Sequence, residues 1–400
     1  MRILVGCSLP ESILQDLRSL SAHVVYEPDL TAEQLRKLIS DTAILVVGRT
    51  RVSAEVINAG RALQMIIRAG TNTANIAVDD ASAAGVFVCN CPDKDAIAVA
   101  ELMLGQLIAL DRRLIDNAAA FLAGELRTPT YHEAAGLAGR RLGLLGCGAV
   151  QRELAHRAAT CGMRVAVWSP ELPEEVGEQC HVEICNWPRE LARTSDMVAV
   201  HAPRREPDEV LLDADFIDNM KKGAYLAFVG HPAAVDESAL LRVARERELR
   251  VAFDICTTQV GGAESGRLKS HIRELPGVIC TFGLGDRTRQ AWEAVGDEVL
   301  RVIKGFLVGG EVLNCVNLLE HSPATWQLVL RLKDTVGVMA SVMDHVRADG
   351  INAQEISARV FTGAKAAWCL IALDERPSVE ALDAIRQLDG VLHLELRALV

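Results

Sequence analysis

The sequence predicts an α/β chain: parallel sheets wound with helices, followed by a small α+β unit. Three observations predict this. Short apolar runs alternate with amphipathic stretches from residue 3 to about 281, as a parallel sheet with helices on its faces requires. The alternation comes in two series, the second starting near residue 142. From about Trp326 the order changes to β-α-β-β-α-β, a split ferredoxin-like unit. At about 150 residues per domain, 400 residues accommodate two or three domains.

In the first series, 3–5, 24–26, 43–47, 65–68 and 86–89 are short apolar runs and read as strands. Helical periodicity fills 11–20, 32–40 and 54–59 between them. Residues 97–110 form a long helix with no polar face, which predicts burial between layers or domains. The second series has strands at 142–145, 164–168, 197–201, 225–229, 251–254 and 278–281, with helices such as 150–160 and 237–248. Right-handed crossovers wind these into one doubly wound sheet. Residues 262–266 are Gly-rich and read as a surface loop, and 291–306 as a further long helix. His321-Ser322-Pro323-Ala324 is the expected linker. Beyond it come strand 327–331, helix 337–347, strands 356–361 and 366–373, helix 379–388 and strand 392–398.

Composition excludes several classes. Lys and Arg total 42 against 53 Asp and Glu, a net charge of -11, and there are only 8 Phe, 5 Trp and 3 Tyr. Such a chain lacks the basic stripes and stacking faces that nucleic acid needs and is unsuited to an anionic membrane surface. No apolar run approaches the ~18 residues of a membrane span. The 11 Cys are odd in number and show no framework. Cys89 and Cys91 are one residue apart, with no Cys-x-x-Cys pair and no neighbouring His group, so no metal is expected. Met1-Arg2-Ile3-Leu4-Val5 reads as a strand rather than a targeting sequence. Reduced thiols and a cytoplasmic setting are the expectation.

Gly146-Cys147-Gly148-Ala149-Val150-Gln151 follows a strand and opens a helix inside a βαβ unit. That context makes it a candidate dinucleotide loop. Gly146 makes the tight turn, and Gly148 lets backbone approach a pyrophosphate at the helix N-terminus. Gln151 stands where the third glycine of the fingerprint normally permits close helix–strand packing; its side chain must point outward or displace the helix. The next strand ends in Ser169, not in the acid that binds ribose hydroxyls. Two readings stay open: a nucleotide site with weakened or lost NAD(H) binding, and a plain strand-to-helix turn.

Several ordered motifs resemble the D-2-hydroxyacid dehydrogenase family, and most closely its phosphoglycerate-dehydrogenase branch. They are Ile67-Arg68-Ala69-Gly70-Thr71-Asn72, Asn90-Cys91-Pro92, Ala98-Val99-Ala100-Glu101, the glycine loop, Ser195-Asp196-Met197-Val198-Ala199-Val200-His201-Ala202-Pro203, Met220-Lys221-Lys222-Gly223-Ala224, Val235-Asp236-Glu237 and Phe253-Asp254-Ile255. The resemblance implies a flavodoxin-like split substrate domain (1–96 and 284–320) around a Rossmann-type nucleotide domain (97–283). It implies a homodimer through helices such as 97–110. Residues 326–400 resemble an ACT domain, an amino-acid-binding regulatory module whose pairing extends a dimer to a tetramer. Asp334, Val336, Gly337 and Asn352 match its ligand loop.

The family's chemistry needs an arginine to clamp the substrate anion, a histidine to move the hydroxyl proton, and a glutamate to orient that histidine. By the resemblance these positions hold His231, Gln259 and Gly283, for the Arg, Glu and His respectively. Gly148, Ala149, Val150, Ser169, His201, Pro203 and Asp254 match cofactor-contacting positions; Asp254 alternatively caps a turn. Arg68, Ala69, Gly70 and Thr71 match the loop that holds the substrate carboxylate. Val47-Gly48 replaces the branch's Arg-Ser pair, and Arg49 and Arg51 nearby either meet an anion or line a solvated loop. The expectation is a family member that has lost the dehydrogenase reaction and binds a small carboxylate, an amino acid or a partner subunit. The alternatives are an atypical NAD(P)-dependent oxidoreductase, with His231 as acid–base, and non-redox chemistry in the same cleft.

Overall fold

The computed structural model describes the chain apart from residues 126–133, 171–181, 203–209, 256–270, 320 and 400. The Gly-rich stretch 262–266 therefore lies outside the described residues, as do Pro203 and Gln259. Met1–Asn317 forms one compact unit and Leu318–Val400 a second. The split lobe and the nucleotide lobe, distinct by sequence pattern, are thus joined in one unit.

The first sheet contains β1 (Arg2–Gly6), β2 (His23–Tyr26), β3 (Ile44–Val47), β4 (Met65–Arg68) and β5 (Phe87–Cys89). All pairs are parallel, in the order β2-β1-β3-β4-β5, the flavodoxin-type order. Ile44, Leu45, Val46 and Val47 are all fully buried, because helices cover both faces of this central strand. The helix Glu11–Leu20 buries Ile13, Leu14 and Leu17 against one face. The returning helix Arg289–Lys304 adds Val299, Val302 and Ile303 to that layer.

The second sheet contains β6 (Arg141–Leu145), β7 (Arg164–Trp168), β8 (Glu183–Ile184), β9 (Met197–Ala202), β10 (Tyr225–Gly230), β11 (Arg250–Ile255) and β12 (Ile279–Thr281). Their order is β12-β11-β10-β9-β6-β7-β8, again all parallel. Winding reverses between β6 and β9, and ligands of Rossmann-like sheets bind outside the strand ends at such a point. β8 is only two residues long, too short for periodicity to register. The helix Ala96–Arg112 is buried as its apolar composition predicts, on the Ala149–Thr160 helix and β10.

The second unit is β13 (Trp326–Lys333), helix Val338–Ala348, β14 (Ala353–Val360), β15 (Ala366–Leu373), helix Val379–Gln387 and β16 (Val391–Ala398). The sheet is antiparallel, ordered β14-β15-β13-β16. Leu328, Leu330, Val342, Ile371 and Ile385 form its core. β14 starts earlier than the expected residue 356, because Ala353 already pairs with Leu373 ahead of a register shift. Gly337 is not a helix residue; it caps the helix at φ +93, a left-handed conformation that favours glycine.

Candidate active site

The glycine loop sits at the switch point. Gly146 turns at φ +92, and its amide donates to the Trp168 carbonyl at 2.7 Å. Gly148 is the N-cap of the Ala149–Thr160 helix, with no side-chain cap, so Ala149 and Val150 open the helix beside the loop. Of the two outcomes its position predicts, an outward side chain or a displaced helix, Gln151 does not take the first. Its side chain folds inward beneath the loop, and the residue is buried. Nε2 donates to the Leu145 carbonyl at 3.1 Å and to the His201 carbonyl at 3.4 Å, spanning the ends of β6 and β9. The space comes from the two glycines: a Cβ on Gly148 would lie 3.1 Å from Oε1, and one on Gly146 3.4 Å from Nε2. Ser169 Oγ donates to the Cys147 sulfur at 3.3 Å. The pyrophosphate end of a dinucleotide fits this cradle; the ribose end meets no carboxylate at Ser169.

At the reaction centre, Asp254 is buried at the end of β11. Its carboxylate accepts from Thr281 Oγ1 at 2.7 Å, the Leu284 amide at 3.0 Å and the Gly285 amide at 2.9 Å. It therefore holds the turn after β12. Gly283 lies in that turn at φ +62, and among the described residues a Cβ there would meet nothing closer than the Ile255 carbonyl at 4.0 Å. His201 lies at the end of β9, where desolvation pushes its imidazole down to about 4, so it is neutral near pH 7. No charged group among the described residues contributes to that shift. His231 caps the short turn Pro232–Ala234, where its Nδ1 accepts from the Ala233 amide at 3.2 Å. Gly230, just before it, is required: a Cβ would fall 2.2 Å from the Ala202 carbonyl oxygen.

The loop expected to hold the substrate carboxylate is better furnished. Arg68 lies half-buried at the end of β4, curled back over its own loop to donate to the Ala69 carbonyl. Its packing requires Gly70, since a Cβ there would approach Nη1 to 2.6 Å. Burial, foremost, lowers its basicity, Arg49 lowers it further, and Asp286 opposes both. Arg49 Nη2 reaches both oxygens of Asp286, at 3.2 and 3.1 Å. This ion pair links the loop after β3 to the turn after β12. Arg51 is exposed. Thr71 Oγ1 faces the Cys91 carbonyl at 3.3 Å and Asp95 Oδ1 at 3.4 Å. Asp95 is the N-cap residue of Ala96–Arg112, and burial raises its carboxyl above the usual range.

Sequence reasoning singles out neither Asp95 nor Asp286. It also misses Glu298, buried on the returning helix. Glu298 meets Arg301 at 2.5 Å, Asn314 Nδ2 at 2.5 Å and Lys94 at 3.1 Å. Arg301 first, then Lys94 and Asn314, hold its carboxyl down at about 2 against burial. Asn314 also donates to the Asn90 carbonyl, and Asn90 Nδ2 to the Thr71 carbonyl. The cluster thus fastens the Asn90–Asp95 crossover and the Thr71 loop to the return helix. A Glu–Arg pair three residues apart on an amphipathic helix is the available signal.

In the second unit, Asp334 and Gly337 flank the helix N-terminus, and Val336 is fully exposed between them. Asn352 lies past the other end of that helix, its amide on Asp374 Oδ1 at 3.0 Å. A helix of this length separates the two positions by about 16 Å. The expected ligand residues therefore do not converge within one copy of this unit.

Among the described residues, no group of three or more His, Cys, Asp or Glu side chains is placed to hold a metal ion. No helix among them is long and apolar enough to cross a membrane.

Comparison with known proteins agrees with this architecture. Residues 104–282 match the family model described as D-isomer specific 2-hydroxyacid dehydrogenase, NAD binding domain. The chain is 31% identical over 320 residues to D-3-phosphoglycerate dehydrogenase of Methanocaldococcus jannaschii, covering 80% of this chain and 60% of that protein. It thus spans about six-tenths of that relative's length. It is 28% identical to hydroxypyruvate reductase of Thermotoga maritima, over 76% of this chain and 97% of that protein. The NAD+-bound 3-phosphoglycerate dehydrogenase of Entamoeba histolytica has a like fold: TM-score 0.65, 22% identity, covering 80% of this chain and 99% of that one. Fold, ordered motifs and relatives agree: the chain belongs to the D-2-hydroxyacid dehydrogenase family and is phosphoglycerate-dehydrogenase-like within it.

Proposed function

We propose that this chain has lost the family's dehydrogenase reaction and works by binding a small carboxylate or amino acid. One observation carries the reading: where the family's proton relay belongs, Gly283 offers no side chain, and Asp254 commits its carboxylate to the adjoining turn. Loss of an acid–base group alone costs about 10²–10⁴ in rate. The ligand's carboxylate is assigned to the Arg68–Thr71 loop with Arg49, where guanidinium forks suit that anion. Gly146, Gly148, Ala149 and Val150 are the residues that would hold the pyrophosphate of NAD(H), with Ser169 toward its ribose. The nicotinamide would supply a hydride when bound. Gln151 occupies the crevice beneath the loop, and we assign weakened NAD(H) binding to it. By likeness to the family, the protein is proposed to act in the cytoplasm as a homodimer, or as a tetramer through paired ACT-like units.

A second reading, an active but atypical NAD(P)-dependent oxidoreductase, has one observation in its favour. Asp95, with its raised carboxyl beside Thr71, is a titratable group at the anion end able to hold a proton. Titration with NADH, read by energy transfer from Trp168 and the other tryptophans, tests cofactor binding. Turnover of hydroxypyruvate or 3-phosphohydroxypyruvate tests chemistry. Absence of turnover supports the first reading, and saturable turnover lost in Asp95→Asn establishes the second. The triple variant His231→Arg, Gln259→Glu, Gly283→His is the complement. The lack of close neighbours at Gly283 among the described residues and the tolerance of His for left-handed backbone favour its folding, and some activity is expected to return.

A further inference from the structure

We infer that Cys89 and Cys315 form a reversible disulfide, an oxidative modification site on the edge of the first sheet. The inference is independent of whether the cleft turns over. Cys89 ends β5, the edge strand of its sheet, and Cys315 lies on the return segment that pairs with it in antiparallel fashion. The flanking hydrogen bonds define the type of pair. The Asn90 amide donates to the Asn314 carbonyl at 3.1 Å, and the Val316 amide to the Val88 carbonyl at 2.8 Å. Cys89 and Cys315 are thus directly opposed as a non-hydrogen-bonded pair, with side chains on the same face. Such pairs bring their Cα atoms to about 4.5 Å, inside the ~4.4–6.8 Å that a disulfide spans. The Cys315 thiol donates to Asn317 Oδ1 at 3.1 Å, within the same register. Asn317 pins the segment in this register, donating to the Val86 carbonyl at 2.9 Å and accepting from the Val88 amide at 2.8 Å.

The two sulfurs differ in access. Cys89 is fully buried, whereas Cys315 is only half-buried. The order of chemistry follows, with a hydroperoxide as oxidant. The Cys315 thiolate attacks the peroxide, its O–O bond breaks, and one water leaves after proton uptake; Cys315 becomes a sulfenic acid. The Cys89 sulfur then attacks the oxidised sulfur. The S–S bond forms, the S–O bond breaks, and the hydroxyl departs as a second water carrying the Cys89 proton. Two thiols and one hydrogen peroxide thus give one disulfide and two waters. A dithiol reductant reverses the step, as a transient bond in a reducing compartment requires. The bond would lie one residue from Asn90, whose side chain holds the Thr71 carbonyl at 2.8 Å. Oxidation therefore reaches the loop to which the ligand carboxylate is assigned.

The test uses the intact wild-type protein. It is treated with stoichiometric hydrogen peroxide, unfolded, alkylated, digested without reduction and mapped by mass. The expected product is a Cys89 peptide joined to a Cys315 peptide, two hydrogens lighter than the sum and separated by dithiothreitol. In Cys315→Ser, Cys89 is expected to be recovered alkylated. Full alkylation of Cys89 in treated wild-type protein would overturn the inference, as would recovery of Cys315 only as a sulfinic acid or joined to a cysteine other than Cys89.

Discussion

At the joint between the return segment and the first-sheet lobe, Glu298, Lys94, Arg301, Asn314 and Asn90 meet complementary partners within hydrogen-bonding distance. At the reaction centre, the polar groups are turned to structural duties: Asp254 braces a turn, and His231 caps one. Desolvation lowers the His201 imidazole, and no charged group among the described residues adds to that shift. The two regions share a unit and a family origin, but differ in what they retain. The joint keeps the contacts that close the first-sheet lobe on itself, whereas among the described residues the expected acid–base position holds Gly283, which has no side chain. Scaffold and chemistry rest on separate residues, so one can persist while the other is replaced.

The largest effect should come from breaking the joint. Glu298→Ala removes the buried carboxylate that Lys94, Arg301 and Asn314 share and should cost about 1.5–3 kcal/mol, measured by equilibrium denaturation. The same carboxyl sets a pH dependence. It is depressed to about 2 in the folded state, so its stabilisation is complete above its ordinary value near 4.5 and is lost as pH falls through about 2. Glu298→Gln should flatten that acid limb. Gly230→Ala comes next, at about 1–3 kcal/mol of overpacking, because its methyl meets the Ala202 carbonyl.

At the reaction centre, His201 should act through pH alone. Its depressed folded value means that stability is full above about 6.5 and declines as pH falls toward about 4. His201→Phe should remove that decline, as followed by thermal melts across the range. Gln151→Gly should tighten NADH binding by roughly tenfold, about 1.4 kcal/mol, in a fluorescence titration; unchanged affinity would show that the buried amide leaves room for the cofactor. Arg49→Ala is the smallest in stability, under about 1 kcal/mol for an exposed pair. It should still weaken binding of a small carboxylate measured by calorimetry, which sharpens the division between holding the scaffold and holding a ligand.

Much of the fold is legible in the sequence because parallel strands buried on both faces are continuous apolar runs: 43–47 and 225–229 cannot be read otherwise. β8 is not, being two residues long, and neither is the helix Leu114–Leu122, which continues directly from the long helix before it. The site is legible where backbone is demanded, at Gly146, Gly148 and Gly70, since sterics leave few choices there. It is not legible where partners come from distant segments. Arg49 finds Asp286 across 237 positions, and Cys89 finds Cys315 only after the chain has left the lobe and returned. The inward fold of Gln151 escapes sequence reading for the same reason: its acceptor at His201 lies 50 positions away.

The central claim is that the cleft keeps its architecture but lacks a working proton relay. Mixing enzyme in excess with saturating NADH and hydroxypyruvate, and following loss of nicotinamide absorbance through a single turnover, tests it most directly. The predicted result is no loss above the enzyme-free rate for the wild-type chain, and measurable loss for the triple variant His231→Arg, Gln259→Glu, Gly283→His. A wild-type burst that saturates with substrate would contradict it.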